Sequence, residues 1–130
     1  MVKKSDGSLY KVPLASPERF SKVALDQPLI GGDGLLLVSS DSLVVIANRT
    51  PHASPNAAFL LSSKDDWASA KRVAHQPLGA AYPTTAVLRG SEIFVVSSRL
   101  DQLIRASPQE RASLRAQPSI QRIGRVTGAR

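Results

Sequence analysis

The sequence predicts an all-β fold built from repeated units, and three observations support that prediction. Short runs of aliphatic and β-branched residues are separated by clusters of Gly, Pro, Ser and Asp, which is typical of strands joined by turns. Before residue 100 no window has an apolar period of about 3.6 residues, so no helix is predicted there. The order of strands and turns also repeats at a spacing of about fifty residues.

Eight strand segments are predicted in the first hundred residues, in four successive pairs. Two of the turns between them, Ser39-Ser40-Asp41 and Arg89-Gly90-Ser91, consist of polar residues and glycine, as tight turns require. The predicted strands are 8–14, 19–25, 35–38, 42–48, 56–62, 70–74, 85–88 and 92–96.

After residue 100 the pattern changes, and one short helix near 108–116 is predicted. Ser107 is the predicted N-cap, with Pro108 at the first helical position and Glu110 three residues after the cap, which is the capping-box arrangement. Each side chain of such a box satisfies a free backbone N–H at the start of the helix.

Pro118 is expected to end this helix, and the alternation of SIQRIGRV predicts a last strand over 119–126. Residues 127–130 are expected to form a frayed tail. The sequence therefore predicts a single domain over 1–126.

The repeat decides which all-β architecture is predicted. A shift of fifty residues places LVVIANR (43–49) on IFVVSSR (93–99), and a shift of forty-nine places Gln27-Pro28-Leu29 on Gln76-Pro77-Leu78. A repeat of about 40–50 residues with four strands is the blade of a β-propeller. A two-sheet sandwich is the alternative, but it does not require a repeat. We therefore predict a partial β-propeller of about two to two-and-a-half four-stranded blades.

Composition excludes several classes of protein. The 130-residue chain is 42% hydrophobic and 21% charged, which indicates a globular protein. It has no cysteine, and hence neither disulfides nor thiolate metal sites. No apolar run is long enough to span a bilayer, and no apolar stretch follows the two lysines near the N-terminus, so we expect neither a membrane segment nor a secretory signal. These features predict a cytoplasmic protein.

The net charge of +7 raises the question of nucleic-acid binding. Six of the 17 basic residues are arginines in the last 26 positions, and the others are scattered along the chain. Only six aromatic residues are present for stacking on bases. No known nucleic-acid module is present, so we expect a solvated basic tail that attracts an acidic partner rather than a nucleic-acid site. These arginines are Arg105, Arg111, Arg115, Arg122, Arg125 and Arg130.

Several segments resemble one family. LYKVPL, GGDGLLLVSSDSLVVIAN, WASAKRVA, YPTTAVLRGSEIFVVSS and LDQL are similar, in this order, to segments of the senescence marker protein / gluconolactonase family of six-bladed propellers. The resemblance covers about residues 8–104. It implies hydrolysis of a sugar lactone with calcium or another divalent metal held in the central channel by oxygen ligands.

The resemblance assigns one metal ligand, Asp33 in Gly32-Asp33-Gly34, which matches the family's Asp-Gly aspartate. Asn48, at the end of a predicted strand, is a weaker candidate for the channel lining. The alternatives are a turn aspartate beside glycine and an asparagine bonded to its own turn. The family's other ligands would lie before Met1, so the chain is expected to be a C-terminal part that lacks a complete metal site.

Other candidate residues have structural interpretations. His52 and His75 each lack a second ligand at metal-binding spacing, and Asp65-Asp66 before Trp67 is interpreted as a hairpin turn. Two functions remain open. The first is a lactonase-like hydrolase, inactive as a single chain, which self-associates to complete a propeller ring and binds a small sugar-lactone-like ligand. The second is a non-catalytic propeller module for binding or scaffolding.

Overall fold

The computed structural model describes residues 1–79, 82–115 and 117–126. Within these residues the chain forms eleven strands, two short α-helices and a single 3-10 turn at Pro17–Arg19. The strands are β1 (Val2–Lys3), β2 (Ser8–Lys11), β3 (Ser21–Lys22), β4 (Ala24–Leu25), β5 (Gly32–Ser39), β6 (Ser42–Ala47), β7 (Ala57–Ser62), β8 (Ser69–Pro77), β9 (Pro83–Arg89), β10 (Glu92–Ser97) and β11 (Ser119–Arg125). The helices are α1 (Leu100–Arg105) and α2 (Pro108–Ser113). Neither helix is long and apolar enough to cross a membrane.

The strands form three sheets. The first sheet has the order β1-β2-β3, the central sheet β4-β8-β7-β6-β5, and the last sheet β11-β10-β9. In the central sheet β5 to β8 are an antiparallel meander, and the two residues of β4 pair parallel to the outer edge of β8. The chain is therefore mostly β, as predicted.

Strand β6, in the middle of the central sheet, is buried on both faces, which explains its continuous apolar run. Leu43, Val45 and Ala47 of β6 belong to a core cluster that includes residues of the first sheet, such as Leu9. Val44 and Ile46 point to the opposite face and belong to a second cluster that includes residues of the last sheet. Because side chains alternate along a strand, odd-numbered and even-numbered residues of β6 contact different neighbouring sheets.

The fifty-residue repeat is visible in the positions of strands. The hairpin of β5 and β6 reappears as that of β9 and β10, shifted by fifty residues within one position at each end. The backbone N–H of Asn48 donates to Gly31 O at 2.9 Å, and that of Ser98 donates to Tyr82 O at 3.1 Å, so each hairpin is closed in the same way. Leu29 and Leu78, the leucines of the two QPL segments, are fully buried.

The repeat ends after its second strand. A shift of fifty from β7 falls on α2 instead of a strand, and β11 pairs directly with β10. The last sheet therefore has three strands, whereas the meander of the central sheet has four. For this reason the three sheets do not by themselves establish a propeller, and the partial propeller stays a prediction.

The predicted C-terminal elements are largely present. The capping box is confirmed, since Ser107 Oγ accepts from the Glu110 N–H at 3.3 Å while Glu110 Oε2 accepts from the Ser107 N–H at 2.7 Å. The helix ends at Ser113 rather than near residue 116, which itself lies outside the described residues. The last strand is confirmed and ends at Arg125, and the predicted frayed tail 127–130 lies outside the described residues.

The structure corrects the sequence prediction at three elements. Helix α1 was not predicted, because its Leu100, Leu103 and Ile104 occupy only one and a half turns. The predicted strand 8–14 stops at Lys11, before Pro13, which has no N–H to donate. The predicted strand 19–25 is divided into β3 and β4, which join different sheets.

Candidate functional site

The two predicted metal-site residues lie together at one end of the central sheet. Asp33 follows the first residue of β5, and Asn48 follows the last residue of β6. The register of the two strands shifts between Gly32 and Gly34, so Asp33 is the extra residue of a bulge. A bulge bends the strand and re-aims its side chain, which here is solvent-exposed.

Asn48 connects three strands through its side-chain amide. Its Nδ2 donates to Asp33 Oδ2 at 2.7 Å and to the backbone oxygen of Pro83 at 2.9 Å. Pro83 is the first residue of β9, so this amide joins the central sheet to the last sheet. Asn48 is completely buried, and a buried amide that bonds a carboxylate holds its neighbours more firmly than an exposed one.

Two glycines allow the backbones to approach at this point. A Cβ on Gly34 would overlap with the carbonyl oxygen of Thr84 and would lie 2.6 Å from Thr85 Cα. Gly31 has a φ of +82°, and a Cβ there would overlap with the carbonyl oxygen of Asn48. The sequence GGDG therefore serves the close packing of β5 against β9 as well as the placement of Asp33.

The orientation of the Asn48 amide is determined by its partners. If the amide were turned over, Oδ1 would face the Asp33 carboxylate and the Pro83 carbonyl oxygen, both of which are acceptors. The observed orientation leaves Asn48 Oδ1 buried with no hydrogen-bond partner among the described residues. Thus Asn48 presents donors, not its oxygen, to Asp33.

This arrangement does not by itself fit a calcium ion. Calcium takes about six to eight oxygen ligands, and Asp33 contributes one carboxylate whose neighbour is a donor N–H. In residues 1–79, 82–115 and 117–126 no group of three or more His, Asp or Glu side chains is close enough to hold a metal ion. The assignment of Asp33 and Asn48 as metal ligands stays a prediction.

The remaining predicted candidates have structural partners. His75 stacks on Phe59 with ring centroids 5.2 Å apart, while His52 is exposed in a loop. Hydrogen bonds from the Ser69 hydroxyl and backbone N–H lower the pKa of Asp65 below its usual range. Asp66 forms an ion pair with Lys11. These contacts are those of a well-formed hairpin turn.

A cavity of about 660 Å³ lies between the central sheet and the last sheet, and sequence analysis did not predict it. The side chains of Leu60 and Ala74 lie on its central-sheet side, while Ile93 and Ile123 line the side of the last sheet. Its lining includes residues of β8 and of β11, which are the last strands of the central meander and of the last sheet. One sequence feature indicates this difference between the sheets. It is the helix-capping signal at Ser107, which lies where the fifty-residue repeat would place a third strand.

Charged residues lie on the outer face of the last sheet, and one of them, Arg125, also lines this cavity. Arg122 and Arg125 both bond to Glu92, at 2.8 and 3.3 Å. The hydrogen bond from Arg122, followed by that from Arg125, lowers the pKa of Glu92 below its usual range. Two guanidinium groups share one carboxylate, so this edge of the molecule carries excess positive charge.

No family model, curated protein or solved structure matches the chain. The resemblance to the gluconolactonase family therefore stays a prediction, and the function is argued from the geometry.

Proposed function

We propose that this chain is a propeller-type binding module, which associates through the outer face of its last sheet rather than acting as a catalyst on its own. We define this outer face by Val87, Phe94 and Val96, which lie side by side on β9 and β10. The expected partner is a second copy of the chain, as in the self-association predicted from the sequence.

One observation carries the proposal. Val44 and Ile46 of β6 are buried against the last sheet. At a shift of fifty residues their places in the hairpin belong to Phe94 and Val96, which are only half-buried, beside an exposed Val87. The face that receives the next sheet in the first repeat is thus apolar and only partly covered in the second, among the described residues. Continuing the internal stacking would place another sheet on it.

The other end of the molecule offers a complementary surface. On β2, Leu9 points into the core, so Tyr10 points away from it, and Tyr10 packs edge-to-face on Phe20 with centroids 6.0 Å apart. Phe20 is 58% exposed. An aromatic surface at the first sheet and an apolar surface at the last sheet allow a head-to-tail contact between copies.

Electrostatics opposes this contact and makes it dependent on salt. Residues 1–22 contain five basic and two acidic side chains, and residues 99–130 contain seven arginines and two acidic side chains. Two positively charged ends repel each other, and salt screens that repulsion within a Debye length of about 10 Å at 0.1 M. Self-association is therefore expected to strengthen as the salt concentration rises.

Light scattering on the folded chain tests the proposal. We expect a mass above that of the 13.9 kDa monomer, rising with salt, and a return to the monomer in Val87→Ser. Val73→Ser is the matched control, because Val73 has nearly the same exposure, 57% against 54%, and lies on β8, away from this face. A monomer at every salt and protein concentration, or an equal effect of both substitutions, would contradict the proposal.

A metal-dependent sugar-lactone hydrolase is the second candidate function. The observation that favours it is that Asp33 and Asn48, which the sequence had singled out separately, lie at the same end of the central sheet. The 2.7 Å hydrogen bond between them has to open before both can bind a metal through oxygen. Calorimetric titration with calcium, together with a lactone hydrolysis assay, tests this candidate. Heat and turnover that both disappear in Asp33→Asn would support it. The absence of both heat and turnover in the self-associated wild-type protein would reject it.

A further inference from the structure

The free edge of β11 is the feature that leads beyond the self-association proposed above. β11 pairs with β10 on one side, and no other strand of the described residues pairs with its second side. The N–H of Val126 donates to Ser91 O at 2.8 Å, which shows that Ser91 faces β11. Hydrogen-bonding direction alternates along β10, so Val95, like Ser91, faces β11, where its partner is Gln121. The neighbours of Gln121, Ile120 and Arg122, therefore have N–H groups that point away from β10.

The cavity lies beside the C-terminal part of this edge, where Ile123 and Arg125 line it, and the side chains of one added strand would enter it. Leu60 pairs with Ala74 and Ala58 pairs with Gln76, so these side chains share one face of the central sheet. Ala58 packs in the cluster that includes residues of the last sheet, whereas Ala74 and Gln76 remain exposed at the cavity. A strand added to β11 would lie about 4.8 Å further out and would cover these two residues of β8.

The charges beside the edge select the partner. Arg122 and Arg125 lie on the outer face with Glu92, which is also directly opposite Arg89. Two arginines therefore bond to this carboxylate, and a third lies opposite Glu92 on β9. The C-terminal segment from 99 to 130 has seven arginines and two acidic residues. Acidic side chains on an added strand would compensate the excess charge.

We propose that β11 binds an extended, acidic segment of another protein as a fourth strand of the last sheet. Main-chain hydrogen bonds to Ile120 and Arg122 hold the segment, as in other cases of strand addition to a sheet edge. Its inward side chains are apolar and fill the cavity against Leu60 and Ile123. Its outward side chains are Asp or Glu and pair with Arg122 and Arg125.

A fluorescence anisotropy titration with a labelled heptapeptide of alternating Val and Glu tests the proposal. A Val–Lys peptide of the same length is the control for charge, and a single-stranded oligonucleotide is the control for phosphate binding. We expect saturable binding of the Val–Glu peptide alone, weakening as salt rises. No binding, or binding of either control with equal affinity, would overturn the proposal.

Two substitutions at one position isolate the contribution of the edge. Ile120→Pro removes an N–H that points away from β10 and leaves the ladder with β10 intact, whereas Ile120→Thr keeps the N–H and a β-branched side chain. We expect about a tenfold loss of affinity in the proline variant, which equals about one hydrogen bond, and less than about a threefold loss in the threonine variant. Equal losses in two folded variants would contradict strand addition.

Arg122→Glu keeps the proposal falsifiable if the proline variant does not fold. This exposed substitution reverses one charge beside the edge and retains every backbone donor. We expect it to weaken binding of the Val–Glu peptide and to allow binding of the Val–Lys peptide. If Arg122→Glu still binds the Val–Glu peptide in preference to the Val–Lys peptide, as the wild-type protein is expected to do, the proposed recognition is overturned. The peptide binds at the free edge of β11, and Arg122 beside that edge lies opposite Phe94 of the self-association face. Val87 lies on β9, at the other side of the last sheet, so the mass measured with Val87→Ser distinguishes failure of one proposal from failure of the other.

Discussion

Asn48 is a side chain that links three strands, β5, β6 and β9. It is completely buried, and its two N–H donors reach the Asp33 carboxylate and the Pro83 carbonyl oxygen. A carboxylate is a stronger acceptor than a carbonyl oxygen, so the first bond contributes more. These two hydrogen bonds explain why an asparagine occupies the position after β6 without any role as a metal ligand.

Substitution Asn48→Ala is expected to lower the free energy of unfolding by about 2–4 kcal/mol, since it removes one charge-assisted and one neutral hydrogen bond and leaves Pro83 O without its partner. Asp33→Asn is the control, because its amide oxygen still accepts from Asn48, and we expect a loss below about 1 kcal/mol. Urea unfolding of both variants measures the two values. If Asn48→Ala lowers the free energy of unfolding by no more than Asp33→Asn does, the bridging role of Asn48 is wrong.

The sequence placed Asp33 and Asn48 at the ends of neighbouring strands, but their contact was not predicted. That contact depends on the bulge at Asp33, which is fifteen residues from Asn48 in the chain. It also depends on the backbone oxygen of Pro83 in β9, which is thirty-five residues from Asn48. Neither a bulge nor a long-range backbone acceptor has a signature in residue types alone. The donor orientation of the amide is likewise visible only in three dimensions.

At the scale of elements, β5 and β9 approach each other more closely than side chains would permit. Gly34 lies against the backbone of Thr84 and Thr85. The glycine was noticed in the sequence as part of an Asp-Gly loop, and the structure gives it a second role in packing two sheets.

Strand positions followed from apolar runs and turns, whereas the division of 19–25 between two sheets did not, because pairing partners are a tertiary property.

Substitution Gly34→Ala is expected to destabilise the protein by about 1–3 kcal/mol, because the new Cβ meets backbone that cannot move aside like a flexible side chain. Gly124→Ala is the matched control: no atom lies within 4 Å of the Cβ built there, and we expect a change within about 0.5 kcal/mol. Thermal and urea unfolding measure both. Equal stability of the two variants would show that β5 and β9 are further apart than described.

The helix α2 offers an independent test at the same scale. Ser107→Ala removes one of the two capping-box bonds and is expected to weaken the helix by about 1 kcal/mol. Because α2 buries no residue, the loss should appear as faster hydrogen exchange at Arg111, whose N–H donates to Ser107 O, and hardly in global unfolding. Ser113→Ala, at the other end of the helix, is the control. A large global loss would mean that α2 packs more tightly than the structure shows.

For the whole molecule, the central relation is that sheets are stacked in chain order. The central sheet contacts the first sheet through one set of β6 side chains and the last sheet through the other. The repeat in the sequence predicted the two hairpins, since the apolar run of β6 recurs fifty residues later in β10. It could not predict that helices would replace the third strand of the second repeat, because this replacement breaks the period. The resulting free edge and open face are the surfaces to which we assign binding.

Methyl–methyl nuclear Overhauser effects within β6 and between sheets test this stacking most directly. The methyl groups of Val45 should show contacts to those of Leu9 or Val23, and the methyl groups of Ile46 should show contacts to those of Ile93 or Val95. Contacts from both Val45 and Ile46 to the same neighbouring sheet would contradict the account, because successive residues of one strand would then not separate two sheets.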